Sequence, residues 1–174
     1  MVDKTSAVTL QEVTRDTVRQ VCKLNVSEYQ RQFVAPNAIS IAEAYFDRDV
    51  AWFRAICAGD TPVGFVMVYD DPKKPEYNIW RFMMDERYQG MGFGRKAMEL
   101  VLEYVRGRPN AKDIRLSYHL ARVARMASTR RSASSTQVRC GATSTPWCWH
   151  SSSRMLSAYG PLAYYLTTNT EHLA

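Results

Sequence analysis

The sequence predicts a single α/β domain, and three observations predict it. Two apolar runs are joined by a tight polar turn, a later strand leads through a glycine-rich loop into an amphipathic helix, and another strand follows that helix. A chain of 174 residues, 46% of them hydrophobic, can enclose one core of this kind.

The elements follow in order. AVTLQEV (Ala7–Val13) reads as a short opening strand. DTVRQVCKLNV then puts Val18, Val21, Cys22 and Leu24 on one helical face, with Asp16 as the expected N-cap. A second helix is expected through IAEAYFDR, capped by Ser40. AWFRAICAG and PVGFVMVYD flank GDTP, the pattern of a tight hairpin. The polar interval DPKKPEY separates them from the strand NIWRFMMD. After DERYQGMGFG, a helix buries Met98, Leu100, Val101, Leu102 and Val105, and stops near Arg108–Pro109 because proline cannot continue it. DIRLSYH (Asp113–His119) is the next strand, parallel to the previous one across the helix.

Charge divides the chain. Residues 1–119 hold 17 Lys+Arg against 16 Asp+Glu, whereas residues 120–174 hold 6 against the single acid Glu171. The excess of positive charge therefore belongs to the second part, and a boundary falls near His119–Leu120. The readings are a folded domain at 1–119 and a basic, low-acid tail at 120–174. No apolar run is long enough to span a bilayer and the start (MVDKTSAVTL) lacks a signal-peptide core, so a soluble, cytoplasmic protein is expected. Cys22, Cys57, Cys140 and Cys148 form no metal-ligand spacing and read as thiols in a reducing compartment, with no metal expected.

The chemistry is expected in the strand–loop–helix unit. Gln89, Gly90, Met91, Gly92, Phe93 and Gly94 lie between a strand and a helix. Unpaired N–H groups at a helix start, with glycines keeping side chains away, can cradle a diphosphate, and Arg95 and Lys96 add positive charge. A dinucleotide-binding unit of the doubly wound kind would carry this loop after its first strand, whereas here about four strands precede it.

Q-x-x-G-x-G at 89–94 resembles the acetyl-CoA diphosphate motif of the GNAT N-acetyltransferases. The longer string W-R-F-M-M-D-E-R-Y-Q-G-M-G-F-G-R-K-A-M resembles their bacterial spermine/spermidine (diamine) branch, and the likeness covers about residues 6–119. It implies a GNAT-type mixed, mostly antiparallel central sheet with flanking helices, and acetyl-CoA as co-substrate. The acceptor it implies is a primary amine of a small molecule, of polyamine type. It also implies that the main chain of Phe82, Met83 and Met84 pairs with the pantetheine arm, and that the N–H groups of 89–95 hold the diphosphate. The thioester would lie where the Phe82–Asp85 and Arg115–His119 strands part. For a cationic acceptor the candidates are Glu28, with Tyr29 beside it, and Trp80. Against that, Glu28 also suits a solvated helix charge and Trp80 suits core filling. No residue is assigned as catalytic acid or base.

After His119 the resemblance ends. The family continues into a helix ending near Y-x-x-L-G-F, whose tyrosine is the usual general acid, and then into closing strands. This chain reads LARVARMASTRRSASSTQVRCGATSTPWCWHSSSRML, with no sustained helical or strand period. Loss of one nucleotide at His119–Leu120 accounts for it. With each codon rebuilt from the third base of one and the first two of the next, the region can read H-P-G-E-G-G-P-D-G-F-Y-A-A-L-G-F-V-H-P-G-E-V-R-G-D. Some positions allow no choice: Met126–Ala127 forces glycine, and Trp147 to His150 forces valine, leucine, alanine. The expectation is that the C-terminal strands are missing or replaced, leaving Asp113–His119 with an open edge that invites a homodimer. Arg122, Arg125, Arg130 and Arg131 could alternatively form a nucleic-acid arm, but no aromatic is interleaved among them. A catalytically damaged or non-catalytic CoA-binding module is the second reading of the whole chain.

Overall fold

The computed structural model describes residues 2–119 and 135–141. Six strands form one sheet in chain order: β1 (Val8–Gln11), β2 (Ala51–Ala58), β3 (Thr61–Asp71), β4 (Glu76–Met84), β5 (Asp113–His119) and β6 (Ser135–Gly141). All neighbours are antiparallel except β4 and β5. Three helices flank the sheet: α1 (Val18–Cys22), α2 (Asn37–Phe46) and α3 (Phe93–Arg106). Among the described residues no helix is long and apolar enough to cross a membrane.

The hairpin is as tight as its sequence suggests. Ala58 pairs with Thr61, and Gly59 between them takes φ +57°, the left-handed conformation of a two-residue turn. The second turn is tighter than expected, because Asp71 pairs with Glu76 and only residues 72–75 remain outside the strands. Asp71 makes this possible by accepting from the N–H groups of Lys73 (2.9 Å) and Lys74 (3.3 Å). Tyr77, inside the supposed polar interval, is a fully buried strand residue whose hydroxyl donates to the Pro109 carbonyl at 2.6 Å.

Alternation divides the core in two. Val66, Val68, Ile79, Phe82 and Met84 face α3, which contributes Phe93, Ala97, Met98, Val101 and Val105. Ala55, Cys57, Phe65, Met67 and Met83 face α1 and the segment leading to α2, with Val21, Leu24, Val26 and Val34. The far end of α3 is clamped to the sheet. Tyr104 stacks on Trp52 with centroids 3.9 Å apart, and its hydroxyl donates to Asp70, which also accepts from Arg108 Nε at 2.9 Å. Burial, reinforced by Asp70, raises the Tyr104 phenol far above its ordinary range. Helix α3 ends at Arg106 with Gly107 as its cap, and Pro109 follows.

Two capping expectations are corrected. The residue preceding α1 is Thr17, not Asp16, and no side chain caps that helix. Ser40 caps nothing: α2 begins at Asn37 after Pro36, and Ser40 is a fully buried residue in its second turn, donating to the Pro36 carbonyl at 3.4 Å. Proline's fixed φ and missing N–H suit the helix threshold without a polar cap. The helix is also turned about. Asn37 and Ser40 face inward, with Asn37 Nδ2 donating to the Val21 carbonyl at 2.9 Å. Ala38, Ile39, Ala42, Tyr45 and Phe46 face outward.

The tail is corrected as well. The C-terminal strands were expected to be missing or replaced and β5 to keep an open edge; β6 pairs with β5 from Asp113↔Gly141 to His119↔Ser135, so that edge has a neighbour. Among the described residues the outer strands of the sheet are β1 and β6.

Candidate functional site

The site is built where β4 runs out. Strands β4 and β5 are laddered at Asn78↔Arg115 and Ile79↔Leu116, and among the described residues that ladder does not extend to their C-terminal ends. A bulge prepares the parting. On the β3 side the register slips between Met67 and Val68, which face Arg81 and Ile79, so Trp80 is the extra residue. Beyond it, Phe82, Met83 and Met84 are buried on both faces of the sheet. Their main chains do not all point the same way. The Met83 carbonyl lies against β3, where a Cβ on Gly64 would come within 2.5 Å of it. Alternation therefore turns the main chains of Phe82 and Met84 toward the gap and that of Met83 away from it.

The loop after β4 is pinned before it reaches its glycines. Asp85 is 2% exposed and accepts from the Asn25 N–H (3.0 Å), the Arg87 N–H (3.1 Å) and the Arg87 guanidinium (2.7 and 3.1 Å). Burial alone would raise its pKa, but these hydrogen bonds and the Arg87 charge outweigh it and hold the carboxyl below the usual range. A 3₁₀ turn, Glu86–Tyr88, follows, and Glu86 N–H donates to the Asn25 carbonyl at 2.9 Å.

Gln89 is the next anchor. Its Nε2 donates to the Met84 carbonyl (2.9 Å) and to Gln30 Oε1 (3.0 Å), and its Oε1 accepts from Gln30 Nε2 at 3.2 Å. Its side chain is thus structural, and only its main chain is left for the predicted binding role. Gly90 and Gly92 take φ +74° and +87°. A Cβ at Gly92 would meet nothing within 4 Å, so open space lies beside it. Gly94 sits 3.4 Å, measured from the Cβ it lacks, from Met84 Cγ and seats the start of α3 on the end of β4. Phe93 is fully buried and Met91 packs against the same core. Arg95 Nε meets Glu99 one turn on at 3.2 Å, and Lys96 Nζ donates to the Lys4 carbonyl at 3.3 Å.

The opening N–H groups of α3 have no intrahelical acceptor and carry the positive end of the helix dipole. With glycines at 90, 92 and 94, and open space beside Gly92, these N–H groups are placed where an anion could approach them. These residues fit a diphosphate followed by an extended arm.

The acceptor candidates stand on separate supports. Glu28 and Tyr29 are exposed on a 3₁₀ helix, Glu28–Gln32, with Tyr29 edge-on to Phe33 at 5.5 Å. Trp80 is half-buried against the core layer that holds α1 and the segment leading to α2, and lies by Tyr69, 5.2 Å between centroids. Beside it Arg81, 8% exposed, reaches Glu43 Oε2 at 3.1 Å. Sequence reasoning missed Gln30, Asp85 and Asn25. Ser27-x-x-Gln30 is a capping-box pattern and could have marked Gln30.

A glycine-opened helix start beside two parallel strands that part is an arrangement that can take an anion and an extended chain. The chain matches the acetyltransferase (GNAT) family over residues 18–127 and belongs to it. Acetyl-CoA as co-substrate follows with the family. The spermine/spermidine N(1)-acetyltransferase of Bacillus subtilis (strain 168) is 26% identical over 117 residues, 64% of this chain and 76% of that protein. A spermidine N-acetyltransferase from Vibrio cholerae, solved in complex with CoA and spermine, superposes with a TM-score of 0.52. It is 17% identical and covers 63% of this chain and 70% of that one. A GNAT-family acetyltransferase from Staphylococcus aureus Mu50 gives a TM-score of 0.53 at 11% identity, covering 79% of this chain and all of that one.

Proposed function

We propose that residues 1–119 are the acetyl-CoA-binding domain of an N-acetyltransferase acting on the primary amine of a small polyamine or diamine. The observation that carries the reading is the glycine loop of 89–94, seated on the end of β4 beside the β4–β5 gap. In that reaction a neutral amine attacks the thioester carbonyl. The C–N bond forms, the C–S bond breaks, the amine proton leaves to a base or a water chain, and the thiolate takes a proton. Phe82 and Met84 orient the donor along the gap by main-chain hydrogen bonds, like an added strand. Glu28 is the group offered to a cationic acceptor: it is exposed, whereas the charge of Asp85 is already matched by Arg87. Tyr29 and Trp80 supply apolar surface for an alkyl amine.

The second reading, a damaged or non-catalytic CoA-binding module, rests on the tail. The family match stops at residue 127, and residues 120–174 hold one acid against six bases. Calorimetry with CoA tests the donor site. The full chain should bind, and Gly92→Glu and Gly94→Glu should abolish binding by setting a carboxylate against phosphate. Unchanged affinity in both variants sinks the assignment.

A further inference from the structure

We propose that Gln30 is a positioning residue for the diphosphate loop, fixing it through a reciprocal amide pair with Gln89. The inference rests on the CoA reading above and extends it to a residue outside the motif.

Gln30 is fully buried on a 3₁₀ helix whose neighbouring positions, Glu28 and Tyr29, are exposed. Its Oε1 accepts from the Ser27 N–H (2.8 Å) and from Gln89 Nε2 (3.0 Å), which fills both lone pairs. Its Nε2 donates to Gln89 Oε1 at 3.2 Å. Both hydrogens of Gln89 Nε2 are then used, one on Gln30 and one on the Met84 carbonyl. The arrangement has one sense only. Turning the Gln89 amide over would set its oxygen against the Met84 carbonyl oxygen and its nitrogen against Gln30 Nε2. The residue immediately before Gly90 is therefore held in one orientation, from a segment 59 residues earlier.

The pair does not act alone. The Asn25 N–H on Asp85 and the Glu86 N–H on the Asn25 carbonyl join the same two segments. Those bonds fix the near end of the loop, at 85 and 86. Gln30 alone among them reaches the end that enters the glycines. Without it the loop keeps its root but loses its direction, and the anion seat must be ordered by the ligand. Ordering a loop on binding lowers affinity. The same pair also ties the segment bearing Glu28 and Tyr29 to the donor loop.

The test uses the full chain with CoA as the probe. Gln30→Met keeps the volume but removes the acceptor and the donor. Loss of a buried bonded pair predicts about tenfold weaker CoA binding, with the thermal midpoint lowered but cooperative unfolding retained. Hydrogen exchange on the free protein separates this from general loosening. Amides of residues 90–94 should exchange faster in Gln30→Met, while those of β2 and β3 keep their relative protection. Gln30→Glu keeps the acceptor for Ser27 and Gln89, so its exchange at 90–94 should stay nearer the parent, and it serves if the first variant does not fold. If the parent binds no CoA, the donor-site reading fails, and the exchange arm still decides the role of Gln30. Parent-like exchange at 90–94 in both variants, or parent-like CoA affinity in folded Gln30→Met, overturns the proposal.

Discussion

Asp85 shows how one side chain can hold a loop that several elements share. It closes β4, receives the main chain of Asn25 from the end of the α1 segment, and grips Arg87 two residues on. Its carboxyl is held below its ordinary pKa, so its ionised form stabilises the folded chain at pH values above the unfolded value of about 3.8. That contribution is lost as pH falls through the lower, folded value. Asp85→Asn should therefore cost about 1–3 kcal/mol at neutral pH, and the difference from the parent should shrink steadily below about pH 4. Urea denaturation at pH 7 and pH 3 checks this, and an equal difference at both would contradict it. The motif glycines at 90, 92 and 94 were legible in sequence because a glycine's role there is local. The Asn25–Asp85 and Gln30–Gln89 contacts were not, since each joins residues about sixty apart and leaves no periodic trace.

Among the elements, the hairpin and α3 were placed by their periods, whereas α1 is shorter than expected, Val18–Cys22, and leaves Leu24 beyond its end. The hairpin of β2 and β3 follows from alternation, and the stripe of α3 was read at Met98, Val101 and Val105. Leu100 and Leu102, expected in it, are only partly buried, and Phe93 and Ala97 complete it. The bulge at Trp80 follows from no pattern, because an extra residue in a strand shows only against its neighbour's register. Helix α2 differs for another reason: it starts three residues before the expected Ser40 cap, and its apolar residues Tyr45 and Phe46 are not the ones that face inward. Phe46 is 84% exposed and Tyr45 61%, while Asn37 and Ser40 are buried. Phe46→Lys should thus change the unfolding free energy by no more than about 0.5 kcal/mol, as expected for a surface position. Chemical denaturation measures it. A loss of about 2 kcal/mol or more, the cost of exposing a packed aromatic, would mean that something covers this face in solution.

At the scale of the whole molecule, strands β1 to β5 and the glycine loop proposed to hold a diphosphate lie within residues 1–119, and the family match covers residues 18–127. The split in charge at His119–Leu120 was visible in the sequence, and the family match runs only a few residues past it. Strand β6 gives β5 a neighbour, which the composition of the tail did not announce. Pairing a strand needs only main-chain groups, so almost any extended segment can do it. Catalysis asks for more. The rebuilt F-Y-x-x-L-G-F, whose tyrosine would protonate the departing thiolate, falls in a stretch outside the described residues, and the chain as written has no such motif there. Loss of a general acid alone costs about 10²–10⁴-fold. If the family's segment is replaced as the frame-slip account holds, the orientation of the thioester suffers as well, and orientation supplies much of the rate. The chain as written should therefore release no measurable thiol from acetyl-CoA with spermidine, spermine or short diamines. Reinserting one base before codon 120 should restore turnover. The two proteins can be assayed side by side against the same amines. Full activity in the chain as written would overturn the frame-slip account. Inactivity of both with every amine, alongside intact CoA binding, would leave a non-catalytic CoA-binding module.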